Sequence, residues 1–103
     1  MARQRGNRNP GAHLRSEEIR AALERALEAG REQLLDEAGA YPSIKYWIRS
    51  GGRVVDAKAV IQLAWNLAHP DDEIEATDFR GDRDHVAVPL RRLGFDVLQT
   101  FSD

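Results

Sequence analysis

The sequence predicts a small α+β domain, and three observations carry that reading. Apolar residues recur at helical spacing in well-separated stretches. Between the first two lies an aromatic and β-branched run, Tyr46-Trp47-Ile48-Arg49, which turns through Ser50-Gly51-Gly52 into Arg53-Val54-Val55. A last apolar run, Phe95-Asp96-Val97-Leu98, follows a glycine near the end of the chain and is placed to join that hairpin. At 103 residues the chain fits one domain, and 42% hydrophobic against 31% charged content means a thin core under a charged surface. The expected order is α-β-β-α-α-β, with a short antiparallel sheet packed on helices.

Residues 1–14 are rich in Arg, Asn, Gly and Pro and show no periodicity, so they are expected to form a disordered basic arm ahead of a domain at 15–103. Ser16 is a suitable N-cap, and Glu17 and Glu18 favour the positive end of a helix. Ile19, Ala22, Leu23, Ala26 and Leu27 form its apolar stripe, which Leu34 and Leu35 resume. One helix over 17–37 is expected, with a joint at Gly30 and an end at Gly39 and Pro42. After the hairpin, Asp56 is placed to cap a helix over 57–68, whose buried stripe is Ala59, Val60, Leu63, Ala64 and Leu67. A polar connection over 69–82 contains the lone Phe79. A third helix covers roughly 83–93, kinked by Pro89 and closed by Gly94.

The absence of cysteine excludes a disulfide scaffold and thiolate zinc sites and fits a reducing cytoplasm. No apolar run approaches the roughly 18 residues of a membrane helix, and no secretory leader is visible. A soluble cytoplasmic domain without a membrane partner is expected.

Net charge is −2, from 15 basic and 17 acidic residues, but the charges are segregated. Arg3, Arg5, Arg8 and Arg15 stand in residues 1–15 with no acid among them. Lys45, Arg49, Arg53 and Lys58 face only Asp56 within 45–58. Acid gathers in the first helix and in 71–78. Such a dipole orients a protein toward a polyanion.

Catalytic motifs are scarce. Ala68-His69-Pro70-Asp71-Asp72-Glu73 is similar to the signature of zinc-dependent N-acetylglucosaminyl deacetylases, in which a His and an Asp hold the metal and another Asp acts as base. There the motif follows the first strand of a Rossmann-like domain over twice this length. Here it follows a helix, and His85 is the sole histidine downstream. Pro70 stopping a helix, with His69 at its C-terminal end, explains the run better. No nucleophile elbow or phosphate-cradling glycine loop is present, so no enzyme, metal or cofactor is expected.

Binding residues are more plausible. Lys45, Arg49 and Arg53 lie on or beside a hairpin narrow enough to approach a groove. Tyr46 and Trp47 alternate, so one faces the core and the other the surface. The usual burial of tryptophan favours Trp47 as the core member, and Trp65 is expected at the core's edge. Arg80-Gly81-Asp82-Arg83 precedes a helix whose free N–H groups and two guanidiniums suit a phosphate, opposed by Asp78, Asp82 and Asp84.

Several runs together resemble a known family. They are Glu17 to Leu35 with its Gly30-Arg31-Glu32 joint, Ser43-Ile44-Lys45-Tyr46-Trp47-Ile48, and Gly52-Arg53-Val54-Val55-Asp56-Ala57-Lys58-Ala59-Val60. Asp78-Phe79-Arg80-Gly81 and Leu93-Gly94-Phe95-Asp96-Val97 complete the set. In this order they resemble the N-terminal head domain of McrA-type, phosphorothioate-DNA-sensing HNH restriction endonucleases. The resemblance implies a recognition module placed ahead of sensing and nuclease domains, with Lys45, Arg53 and Lys58 as its matching basic positions and Asp56 as a cap or ion-pair member. The chain departs from the family pattern at Val55, at Asp82 and at Pro89. The expected function is non-catalytic recognition of double-stranded DNA, plain or modified, through Lys45, Arg49, Arg53, Lys58, Arg80 and Arg83, with Arg3, Arg5 and Arg8 adding affinity. Catalysis would come from a partner. The alternative is an adaptor or inhibitor that binds a nuclease or another protein of a restriction or defence complex.

Overall fold

A computed structural model describes residues 8–40 and 45–99. Helix α1 (Ser16–Ala29) and helix α2 (Arg31–Ala38) are separate, because Gly30 at φ +88° breaks the expected single helix at its joint. Ser16 is the first helical residue rather than the cap. The Arg15 backbone N–H donates to Glu18 Oε1 at 2.7 Å, which closes the helix start one residue earlier than expected.

Strands β1 (Tyr46–Ser50) and β2 (Arg53–Asp56) form the hairpin, and β3 (Asp96–Gln99) lies on the other side of β1, giving an antiparallel sheet in the order β2-β1-β3. Gly51 and Gly52 have φ of +57° and +80°, the paired positive values that a two-residue hairpin turn requires. Helix α3 (Ala57–Ala68) starts directly from β2 and is buried almost all round, from Ala57 through Trp65. It packs between α1 and α2 on one side and the inner sheet face on the other, where Tyr46, Ile48, Val55 and Val97 complete the core. Leu67, expected in the buried stripe, is 48% exposed, because the last turn of α3 runs past the core and borders an open groove.

Two further expectations are corrected. The arm expected over 1–14 is packed from residue 8 onward. Pro10–His13 form a 3-10 turn, Pro10, Gly11 and Leu14 are buried, and the Arg8 N–H donates to Asp78 O at 3.1 Å. A Cβ on Gly11 would lie 2.9 Å from Pro89 Cβ, so this turn docks where only glycine fits. The expected helix over 83–93 is a π-helical turn, Arg83–Ala87, followed by the short helix α4 (Val88–Arg92). The Val88 N–H bonds to Arg83 O, and Pro89 has no N–H to continue an α ladder, so the irregularity expected at Pro89 takes this form. Helix α4 ends in a Schellman motif, with Phe95 N–H on Leu90 O and Gly94 N–H on Arg91 O, both at 3.0 Å.

Candidate nucleic-acid interface

Strand parity divides the hairpin residues between two faces. Ile48 pairs with Val55 and Val97, which fixes the inner face; Trp47 pairs with Asp56 and Leu98, and Arg49 with Val54 and Asp96, on the outer one. Tyr46 shares Ile48's parity and is buried. Trp47 is therefore the outward member of the aromatic pair, contrary to expectation, and is half-buried there. Val54 is 55% exposed. Trp47, Val54, Leu98 and Gln99 line a shallow apolar depression of about 290 Å³ on this face.

Arg31 and Arg49 share this face with it, while Arg53, of the opposite parity, turns toward the helices. The Arg31 guanidinium lies over the Trp47 ring, 5.3 Å from its centroid, and grips Asp56 through Nε–Oδ1 at 2.9 Å and Nη2–Oδ2 at 3.2 Å. Asp56 is fully buried, and its hydrogen bonds raise the Arg31 pKa further above its ordinary value. Although Asp56 occupies the cap position of α3, its side chain caps nothing and serves this ion pair instead. Arg49 pairs with Asp96 at 2.8 Å in an exposed contact, and Arg53 Nη1 donates to Leu27 O at 3.2 Å. The exposed Lys45 places Nζ 5.7 Å from the Tyr46 ring centroid. Arg31 was not among the contacts expected from sequence. Its signal is a pairing across 25 residues, which no local pattern records.

The other candidate residues stand elsewhere. Lys58 donates to Ala76 O at 2.6 Å and lies over the ring of Phe79 at 4.7 Å. Burial lowers its pKa against the attraction of Asp82. Its stem also approaches Gly81, so Lys58 fastens α3 to the 76–81 loop. Arg8 reaches Asp72 at 2.8 Å and lies 5.2 Å from the Trp65 ring centroid. Arg80 and Arg83 are exposed, but one of the N–H donors expected to meet a phosphate, that of His85, is taken by the Asp82 side chain at 3.0 Å. Burial pushes the Asp82 carboxyl up, and bonds from the His85 ring and backbone, with the charges of His85 and Arg80, outweigh it and hold the pKa below its ordinary value. Arg3 and Arg5 lie outside the described residues. In the His69–Glu73 run, the His69 ring stacks on Trp65 with centroids 4.0 Å apart, and Asp72 O accepts the Trp65 indole N–H at 2.8 Å. That run is a turn built around Trp65.

Residues 12–99 match the ScoMcrA-like N-terminal head domain. The chain belongs to this family. No curated protein and no solved structure matches it. The head domain is a module of McrA-like restriction proteins, separate from their HNH nuclease domain. Its sequence marks acquire physical roles in this structure. Gly52 to Val60 form the turn exit, strand β2 and the start of α3, with Asp56 as the ion-pair partner of Arg31. Asp78-Phe79-Arg80-Gly81 is the loop that receives Lys58, with Asp78 and Phe79 buried. Leu93-Gly94-Phe95 is the stop of α4. Val55 fills the inner sheet face, and Pro89 packs against Gly11. Within the head domain, no helix among the described residues is long and apolar enough to cross a membrane.

Proposed function

We propose that this head domain is a non-catalytic DNA-recognition module of a restriction or defence system. The observation that carries the reading is the outer sheet face, where Arg31 and Arg49 stand beside an apolar centre on a chain of net charge −2, with Lys45 and Arg53 exposed at the margins of the hairpin. Lys45, Arg49 and Arg53 contact phosphates from the hairpin. Arg80 and Arg83 offer a second, smaller group of cations, and Arg3 and Arg5 add sequence-independent affinity. Lys58 and Arg8 are assigned to internal contacts and support this surface indirectly. The partner is double-stranded DNA in a cytoplasmic setting, with cleavage left to a nuclease domain or partner protein.

Fluorescence anisotropy against plain, methylated and phosphorothioated duplexes at two salt concentrations tests the reading. Binding that weakens steeply with salt supports it, since each neutralised phosphate releases counterions. No binding at low salt overturns it.

A protein-adaptor role is the second reading, favoured by a groove of about 630 Å³ that includes Asp36, Glu37, Glu73 and Glu75. Gln62 Oε1, at the floor of this region, is buried without a hydrogen-bond partner, while Nε2 donates to Ala38 O at 2.6 Å. A basic segment of a partner protein has the complementary charge. Capture of DNA by gel filtration separates the two readings.

A further inference from the structure

We infer that the depression beside Trp47 is a binding site for a single unpaired nucleobase. This inference rests on the DNA reading and adds what the sheet face would recognise. Trp47, Val54 and Leu98 supply an apolar floor, and Gln99 supplies an amide at its border. At about 290 Å³ the depression stands at the lower limit of ligand pockets, which run from roughly 300 Å³, so it suits one ring system rather than a larger ligand. An indole beside aliphatic side chains receives a flat heterocycle by stacking and dispersion, whatever the base, because every base has a π face.

The charge around the depression selects a ligand that carries phosphate. Arg31 is held over the indole by Asp56, and that bidentate grip engages only two of the five N–H donors of a guanidinium. Arg49 shares the outer face with Trp47. Its pairing with Asp96 is exposed on both sides, at 55% and 51%, and such surface pairs exchange readily for a phosphate. A base stacked on the indole therefore has its backbone beside two arginines. A peptide segment offers the apolar contact without that anion. A paired base inside a duplex cannot enter, so the site reads a bulged, frayed or flipped nucleotide.

The test compares two duplexes of the same sequence, one fully paired and one with a single bulged thymidine, by fluorescence anisotropy at low salt. Trp47→Leu and the charge-neutral Val54→Ser are the variants, and circular dichroism checks their fold. Both positions lie on the outer face, so neither substitution disturbs the core. The bulged duplex is expected to bind about tenfold more tightly, in line with the usual strength of base–aromatic stacking. Either variant should abolish that advantage and leave binding of the paired duplex within about twofold. Equal binding of the two duplexes, a preference that survives both variants, or a loss shared equally by both duplexes overturns the base site and leaves the DNA reading standing. Absence of binding to either duplex overturns both.

Discussion

Arg31 and Asp56 form a bidentate ion pair in which the arginine is half in solvent and the aspartate wholly buried. The pair joins the start of α2 to the junction of β2 and α3, so one contact sets the position of the helical layer against the root of the hairpin. Removal of the guanidinium leaves a buried carboxylate with less compensation. Arg31→Ala is therefore expected to cost about 1–3 kcal/mol, less than the roughly 3–5 kcal/mol of a fully buried broken pair because water screens the arginine side. A shift in the urea midpoint at unchanged slope checks it.

The turn at Pro10–His13 predicts a stability effect in a segment whose composition suggests none. Gly11→Ala places a methyl 2.9 Å from Pro89 Cβ and 3.2 Å from His85 O. Overpacking of this kind costs about 1–3 kcal/mol. Thermal unfolding of Gly11→Ala should show a lower Tm, and an unchanged Tm would place the turn off the domain.

Asp82 gives the protein an acid-sensitive contribution. Its pKa in the folded state lies below the ordinary 3.8, with His85 and Arg80 outweighing the effect of burial. A depressed carboxyl adds stability above its unfolded pKa and loses it as pH falls through the folded one. Wild-type protein should therefore lose more stability than Asp82→Asn between about pH 4 and pH 2. Urea unfolding of both proteins across that range shows whether the difference narrows as expected.

The hairpin arginines should separate from Lys58 in a binding assay. Arg49→Ala and Arg53→Ala are each expected to weaken duplex binding and to reduce the salt slope by about one phosphate contact. Lys58→Met should lower stability instead, since the Lys58 ammonium bonds to Ala76 O, and should leave the salt slope unchanged. Salt titrations of the three variants beside their urea midpoints distinguish the two roles.

Local chemistry made much of the fold legible. The extent of α3, the Gly51-Gly52 turn and the stop at Gly94 are each legible from residues adjacent in sequence, although the Asp56 side chain expected to cap α3 bonds to Arg31 instead. The orientation of Trp47 was also recorded, in its parity opposite Ile48, but general tryptophan burial pointed the other way. That statistic describes tryptophans as a class, whereas parity fixes a face once one neighbour is known to be buried. The Arg31–Asp56 pair and the docking of Gly11 on Pro89 join positions far apart in the chain. Composition read the N-terminal segment as an arm because its few apolar atoms gain meaning only from the surface they meet. The π-helical turn likewise depends on Asp82 and Pro89 acting at its two ends. Of the candidate contacts, only strand position separates Arg49 and Arg53 from Lys58, and that separation needs the loop over 76–81 to be in place.

The hairpin is tied to the helices at both of its ends. Arg31 fastens its root at Asp56, and Arg53 fastens the strand leaving its tip to the last turn of α1 at Leu27 O. A ligand arriving at the outer face consequently meets a surface whose backbone freedom was surrendered during folding. Little ordering entropy is then left to oppose association, and affinity differences among ligands should appear mainly in how long they stay.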